Sequence, residues 1–326
     1  MLLVTGGAGF IGSNVVAALN DAGRADIAVC DVLGHDGKWR NLAKRQLTDV
    51  VPPAQLMDWL KGRRLDAVLH LGAISETTAT DGDLVIETNF RLSMRLLDWC
   101  TANATPLIYA SSAATYGDGA QGFRDDPSVA ALKTLRPMNL YGWSKHLFDM
   151  AVAERVARGE KLPPQWAGLK FFNVFGPNEY HKGTMMSVLT RRFDDIKAGR
   201  VVELFKSHRD GIADGDQRRD FIYVDDVVRV MMWLLATPSV NGLFNVGTGH
   251  ARSFRDLMLA AYAALGTRPN IDYIDMPLAI RDSYQYFTQS DVDRLRRAGY
   301  NAGFTALEDA VGAYVKDFLD GPDRFR

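Results

Sequence analysis

Leu2-Leu3-Val4-Thr5-Gly6-Gly7-Ala8-Gly9-Phe10-Ile11-Gly12-Ser13-Asn14 runs from an apolar stretch through a glycine cluster into a helix-like sequence. Gly7, Gly9 and Gly12 have the G-x-G-x-x-G spacing. Such a loop turns tightly, lets the backbone approach a pyrophosphate and packs helix closely on strand. The free N–H groups at the helix start attract phosphate oxygens. The spacing alone is common. Here it follows a strand expected at 2–5, opens a helix expected over 11–22, and precedes Asp31 at the end of a second strand over 27–31. Together these predict a dinucleotide site.

Working outward, the pattern repeats. Strands are expected at 67–71 and 107–110, a helix over 85–103, a helix over 141–158 and a strand at 169–172. Strand–helix alternation predicts an α/β fold, a Rossmann-type doubly wound parallel sheet with helices on both faces. The alternation breaks at the turn-forming run Asn173-Val174-Phe175-Gly176-Pro177-Asn178. A polar loop over 206–219 follows, then strands at 221–224 and 242–247, then mostly helical text. The reading is a dinucleotide-binding domain of 1–171 and 221–248, with a smaller discontinuous lobe of 172–220 and 249–326. Built from connections at the carboxyl ends of the strands, that lobe would cover the crevice.

The bulk numbers narrow the function classes. A net charge of -1 with 24% charged residues in 326 offers no basic surface for nucleic acid or anionic lipid. Only Cys30 and Cys100 occur, and the six histidines are scattered singly, so neither a disulfide framework nor a metal site is expected. With no basic leader or long apolar segment at the start, the expected location is the cytoplasm.

Tyr141 and Lys145 lie four residues apart on the expected helix and project from one face. A nearby ammonium favours phenolate, lowers the tyrosine pKa and prepares it to take a hydroxyl proton. Upstream, Tyr109-Ala110-Ser111-Ser112-Ala113-Ala114-Thr115-Tyr116-Gly117 ends a strand with hydroxyls at the crevice edge. Ser112 could hydrogen-bond the reacting oxygen, and Ser111 could cap the strand. Asp31 would accept the ribose hydroxyls of NAD, yet Lys38, Arg40, Lys44 and Arg45 follow closely. Lys38 is the expected contact to the extra phosphate of NADP, with NAD left open; the other three read equally well as a solvated face.

The glycine loop, the Ser-Ser stretch, Tyr-x-x-x-Lys and Phe172-Asn173-Val174-Phe175-Gly176-Pro177 together resemble the extended short-chain dehydrogenases that modify nucleotide sugars. His181-Lys182-Gly183 and Tyr284-Gln285-Tyr286-Phe287-Thr288-Gln289 resemble, within them, the ADP-heptose 6-epimerases. That resemblance implies an epimerase holding NADP, an ADP-heptose substrate destined for the lipopolysaccharide core, and a homo-oligomer, a homopentamer. It implies Ser112, Tyr141, Lys145 and a second base, Lys182, as catalytic residues. The cofactor would lie against Gly6, Gly7, Gly9, Phe10, Ile11, Gly12, Asp31, Lys38, Leu71, Gly72, Ala73, Ser75, Asn89, Lys145, Val174 and Lys182. Substrate contacts would come from Asn173, Thr184, Arg191, Phe205, Arg219 and Tyr284. Val32 stands where the family has a polar residue, Arg191 where it has a histidine, and 207–217 is longer than its pattern.

Other chemistries of the family fit less well. Its dehydratases carry an Asp-Glu pair where this chain has Ala113-Ala114, so elimination lacks its acid and base. Its two-carbon epimerase-reductases use a cysteine acid, whereas Cys30 belongs to a strand and Cys100 to a helix. A 4-epimerase acting on another nucleotide hexose would share the serine, tyrosine and lysine. A catalytically silent dinucleotide-sensing protein would share the fold.

Overall fold

The computed structural model describes residues 1–281 and 284–326. Among the described residues there are twelve strands: β1 (Leu2–Thr5), β2 (Ile27–Cys30), β3 (Asp49–Val51), β4 (Ala67–His70), β5 (Leu107–Ser112), β6 (Trp166–Phe171), β7 (Asn173–Phe175), β8 (Val202–Phe205), β9 (Arg218–Tyr223), β10 (Gly242–Val246), β11 (Ala251–Ser253) and β12 (Ile271–Ile274). Seven form the main sheet in the order β10-β6-β5-β4-β1-β2-β3, every pair parallel. The order reverses between β1 and β4, and the crevice opens beyond their carboxyl ends.

Alternate residues of a strand point to opposite faces, so β1 feeds two cores. Leu2 and Val4 pack with Val15, Val16 and Leu19 of the helix Phe10–Asp21 and with Val227, Met231 and Leu234 of the helix Val224–Ala236. Leu3 packs on the other face with Leu96 and Leu97 of the helix Leu92–Ala102 and with Phe148 and Val152 of the helix Leu140–Ala157. Each such side chain, fully buried, contributes about 1.5–3 kcal/mol.

A further core gathers segments that follow β6. Phe175, Leu189, Phe193, Val202, Phe221, Tyr262, Val311 and Tyr314 pack together, with Phe10 reaching in from the first helix. Here β9 lies between β7, parallel to it, and β11, antiparallel, while β8 pairs with β12. The structure differs from the sequence expectation in several short strands. Part of the turn-forming run at 173–178 is β7, β9 begins at Arg218 within the expected loop, and β11 and β12 interrupt the text expected to be mostly helical. β1, β2 and β4 show as runs free of Asp, Glu, Lys and Arg, whereas Arg252 in β11, Asp272 in β12 and Arg218-Arg219-Asp220 at the start of β9 interrupt the apolar signal. Among the described residues no helix is long and apolar enough to cross a membrane.

Candidate active site

Close backbone approach builds the phosphate end of the site. Gly6 has φ +66°, and a Cβ there would lie 2.6 Å from the Gly72 nitrogen. A Cβ on Gly12 would lie 2.1 Å from the Gly6 carbonyl oxygen, so only glycine lets the helix start against the loop. The N-cap Gly9 offers no side-chain acceptor to the first turn, and no acidic residue sits in it. A 12-residue helix thus presents an open, partly positive N-terminus to the crevice. This cradle fits a dinucleotide pyrophosphate.

Beside it, the Asp31 carboxylate accepts the Ala8 N–H at 2.8 Å and the Lys38 ammonium at 2.6 Å. Lys38 also donates to the Val32 carbonyl at 3.2 Å, while the Val32 side chain is exposed. The lysine therefore compensates the carboxylate that would otherwise repel a second phosphate. Lys44 pairs with Asp323 and Arg45 lies 4.0 Å from Asp21, away from this position.

A single cavity of about 730 Å³ runs from the glycine loop to β8 and β9. Ser112, Tyr141 and Lys145 line its middle. Asn139 caps the helix Leu140–Ala157 by accepting the Gly142 N–H, which starts the helix one residue before Tyr141. Lys145 donates to the Ala110 carbonyl at 2.9 Å, and burial pulls its pKa down to about 8 against the opposing charge of Asp149. The expected lowering of the tyrosine pKa does not appear. Burial dominates and raises Tyr141 above its ordinary value, with a hydrogen bond to Ser112 working the other way. The Ser112 Oγ accepts the Ala114 N–H at 3.1 Å, leaving its hydroxyl hydrogen free to donate. Ser111 does not cap the strand; it donates to Asp149 at 2.7 Å.

Lys182 enters the same cavity from the loop after β7. Buried Glu179 anchors that loop, accepting the Ser187 N–H at 2.6 Å, the Ser187 hydroxyl at 2.7 Å and the Thr190 hydroxyl at 2.6 Å. Asn14 holds the Pro177 carbonyl at 3.0 Å, and Asn178 donates to Ser13 at 3.0 Å, tying the loop to the first helix. With the Glu179 oxygens so engaged, Lys182 makes no ion pair among the described residues. Its ammonium lies 5.2 Å from the Phe10 ring centroid, and burial lowers its pKa.

At the far end the buried Arg219 guanidinium sits between two rings, 5.6 Å from Phe254 and 5.1 Å from Tyr284. Phe205 packs edge-on to Tyr284. Arg219 donates to the Arg218 carbonyl and, like Arg191 nearby, has no carboxylate partner among the described residues. Two uncompensated cations facing one cavity suit a diphosphate.

The sequence profile of the NAD dependent epimerase/dehydratase family matches residues 2–247. The chain belongs to this family. A relative named ADP-L-glycero-D-manno-heptose-6-epimerase from Nitratidesulfovibrio vulgaris (strain DP4) is 49% identical over 329 residues, covering 100% of both chains. The crystal structure of Helicobacter pylori ADP-L-glycero-D-manno-heptose-6-epimerase superposes with a TM-score of 0.77 at 27% identity, covering 96% of this chain and 94% of that one. A Thermus thermophilus UDP-glucose 4-epimerase, solved in complex with NAD, gives 0.72 at 26% identity over 96% and 97%.

For this member of the epimerase/dehydratase family, the cavity gathers all but three of the residues expected from the sequence. Gly7 packs against Val29 behind the loop. Asn89 is buried beneath the cavity on a π-helical turn at Glu87–Arg91, where it clamps both the N–H and the carbonyl of Ile74 and donates to Ser144. Thr184 is exposed and off the lining. Sequence reasoning missed Met185, Met186, Gln217, Phe254 and Gln285. Gln285, which donates to the Gly117 carbonyl at 2.6 Å, lay inside a stretch already singled out; the others carried no signal. Both cysteines are buried outside the lining, with thiols pushed up to about 12 by burial.

Proposed function

We propose that this protein inverts C6 of the heptose in ADP-heptose, interconverting ADP-D-glycero-D-manno-heptose and ADP-L-glycero-D-manno-heptose. The observation that carries the reading is a half-buried Lys182, without an ion pair among the described residues, facing the same cavity as Tyr141, Lys145 and Ser112. The full-length likeness to proteins named for this activity supports it. The glycine loop, Asp31 and Lys38 would hold NADP, which would supply reversible hydride transfer at C6.

Tyr141 takes the C6 hydroxyl proton as the carbinol becomes a transient ketone. Lys145 supports the phenolate by its charge, and Ser112 donates to the same oxygen. Rotation about the exocyclic bond presents the opposite face of the ketone, so the sugar ring and ADP stay in place. Lys182, as the ammonium, then donates a proton to the oxygen in its new position as the carbinol re-forms, a task its lowered pKa suits. Arg219 and Arg191 hold the diphosphate, with Asn173, Phe205 and Tyr284 around the nucleotide.

The same proposal divides the chain into a dinucleotide domain of 1–171 and 221–248 and a nucleotide-sugar lobe of 172–220 and 249–326. It takes the working form to be a cytoplasmic homopentamer, which would elute at five times the chain mass. The test of function uses protein purified without additions. Denaturation should release NADP by mass spectrometry, and the untreated protein should interconvert the two ADP-heptose epimers with no added cofactor. Failure with authentic substrate and cofactor-loaded protein refutes the reading. Turnover of UDP-galactose, indifferent to Lys182→Ala, would replace it with 4-epimerisation.

A further inference from the structure

Behind the acid–base residues, and off the cavity lining, Lys170 of β6 and Asp149 of the helix Leu140–Ala157 form a fully buried ion pair at 2.7 Å. The same carboxylate oxygen accepts the Ser111 hydroxyl at 2.7 Å. Lys170 also donates to the Thr115 hydroxyl at 2.6 Å, and Thr115 in turn donates to the Ser112 carbonyl at 2.8 Å. One pair therefore ties the helix bearing Tyr141 and Lys145 to both strands beneath it and to the turn that follows Ser112. Asp149 Oδ1 has no hydrogen-bond partner, and Lys170 is the only cation ion-paired with this carboxylate among the described residues. A buried carboxylate stripped of its cation is strongly disfavoured and acts on its neighbours through a poorly screening medium.

We infer that Asp149 and Lys170 are positioning residues for the epimerisation, fixing Ser112 against Tyr141 and cancelling a negative charge that would oppose the phenolate. The inference rests on the proposed role of Tyr141 as a base. After burial and the opposing Ser112 hydrogen bond, Asp149 is the remaining influence that raises Tyr141. Lys145 also faces Asp149, whose charge works against the lowering of the Lys145 pKa by burial; the other titratable groups that face the pair do not act on Tyr141. Tyr109 comes from β5, Tyr116 from the turn after it and His146 from the helix. Asp125, held up to about 6 by burial, faces Tyr116; His70, held down to about 3 by burial, faces Lys145.

The test is the pH dependence of kcat for ADP-heptose epimerisation by cofactor-loaded protein. Lys170→Met removes the ion-pair partner of Asp149 and leaves only the more distant Lys145 to offset its charge, so the limb on which the base form appears should move up by about one pH unit, a tenfold loss along it. Asp149→Asn leaves the ammonium alone and should move the limb down. Lys170→Arg should restore the parent position, and KM should stay near the parent value throughout. Loss of packing alone would not shift the limb in opposite directions. Should Lys170→Met fail to fold on thermal unfolding, Asp149→Asn decides: a limb unmoved or moved up overturns the inference. Tyr141→Phe separates the two proposals. Parent-like turnover there overturns the base assignment itself, whereas an inactive Tyr141→Phe with unmoved limbs in the pair variants overturns the role of the pair alone.

Discussion

Lys182→Met removes an amine while keeping the side chain's length, and the structure assigns opposite-sized effects to activity and stability. In the folded protein the ammonium lies over the Phe10 ring with no ion pair among the described residues, and burial lowers its pKa against the charge of Glu179. A cation–π contact stabilises by about 0.5–2 kcal/mol, which the desolvation of the charge offsets. The net change in stability is therefore within about 1 kcal/mol, a Tm shift of about 2 °C in a chain of this size. Turnover, by contrast, loses one of two proton-transfer groups. Such a group contributes about 10²–10⁴-fold, equivalent to about 2.7–5.4 kcal/mol at 1.36 kcal/mol per tenfold. The assay follows interconversion of the two epimers by NMR alongside thermal unfolding and retained-dinucleotide content. The expected outcome is at least a hundredfold loss of kcat with Tm within about 2 °C of the parent and dinucleotide content retained. A loss below tenfold refutes the two-base scheme, and a collapse of Tm or dinucleotide content would make Lys182 a structural residue instead.

Gly12→Ala should lose about 1–3 kcal/mol of stability and most of its retained dinucleotide, because the new Cβ meets the Gly6 carbonyl at 2.1 Å; parent-like nucleotide content after gel filtration would contradict this. Lys145, at about 8, is charged below that pH and loses its proton as pH rises through it. Turnover should accordingly fall on the alkaline side near pH 8, and a rate still rising well above that pH would show that the ammonium is not needed. Arg219→Ala should raise KM by about 10–100-fold, the scale of a lost charge-assisted hydrogen bond, while Thr184→Ala leaves it near the parent value. Equal effects of the two substitutions would mean that the exposed threonine closes over the substrate.

The local parts of the site were legible in the sequence because each depends on neighbours a few residues away. Helix pitch alone puts Tyr141 and Lys145 on one face, and backbone stereochemistry alone makes the spacing of Gly7, Gly9 and Gly12 a strand-to-helix turn. Apolar runs of four to six residues announced most of the main sheet, whereas β3, β8, β11 and β12 are short and each carries a charged residue, Asp49, Glu203, Arg252 or Asp272, that breaks the run. Packing between distant segments decided the rest. Lys182 faces the cavity because Glu179, Ser187 and Thr190 lock its loop and Asn14 grips it from the first helix. Lys38 folds onto Asp31, and burial raises Tyr141 where the neighbouring lysine alone suggested a fall. Nothing in the sequence near Asp149 names Lys170, 21 residues away, as its partner; only the docking of the helix on β5 and β6 brings them to 2.7 Å. Charge and burial at a site are sums over everything packed around it, and that sum exists only once the chain is folded.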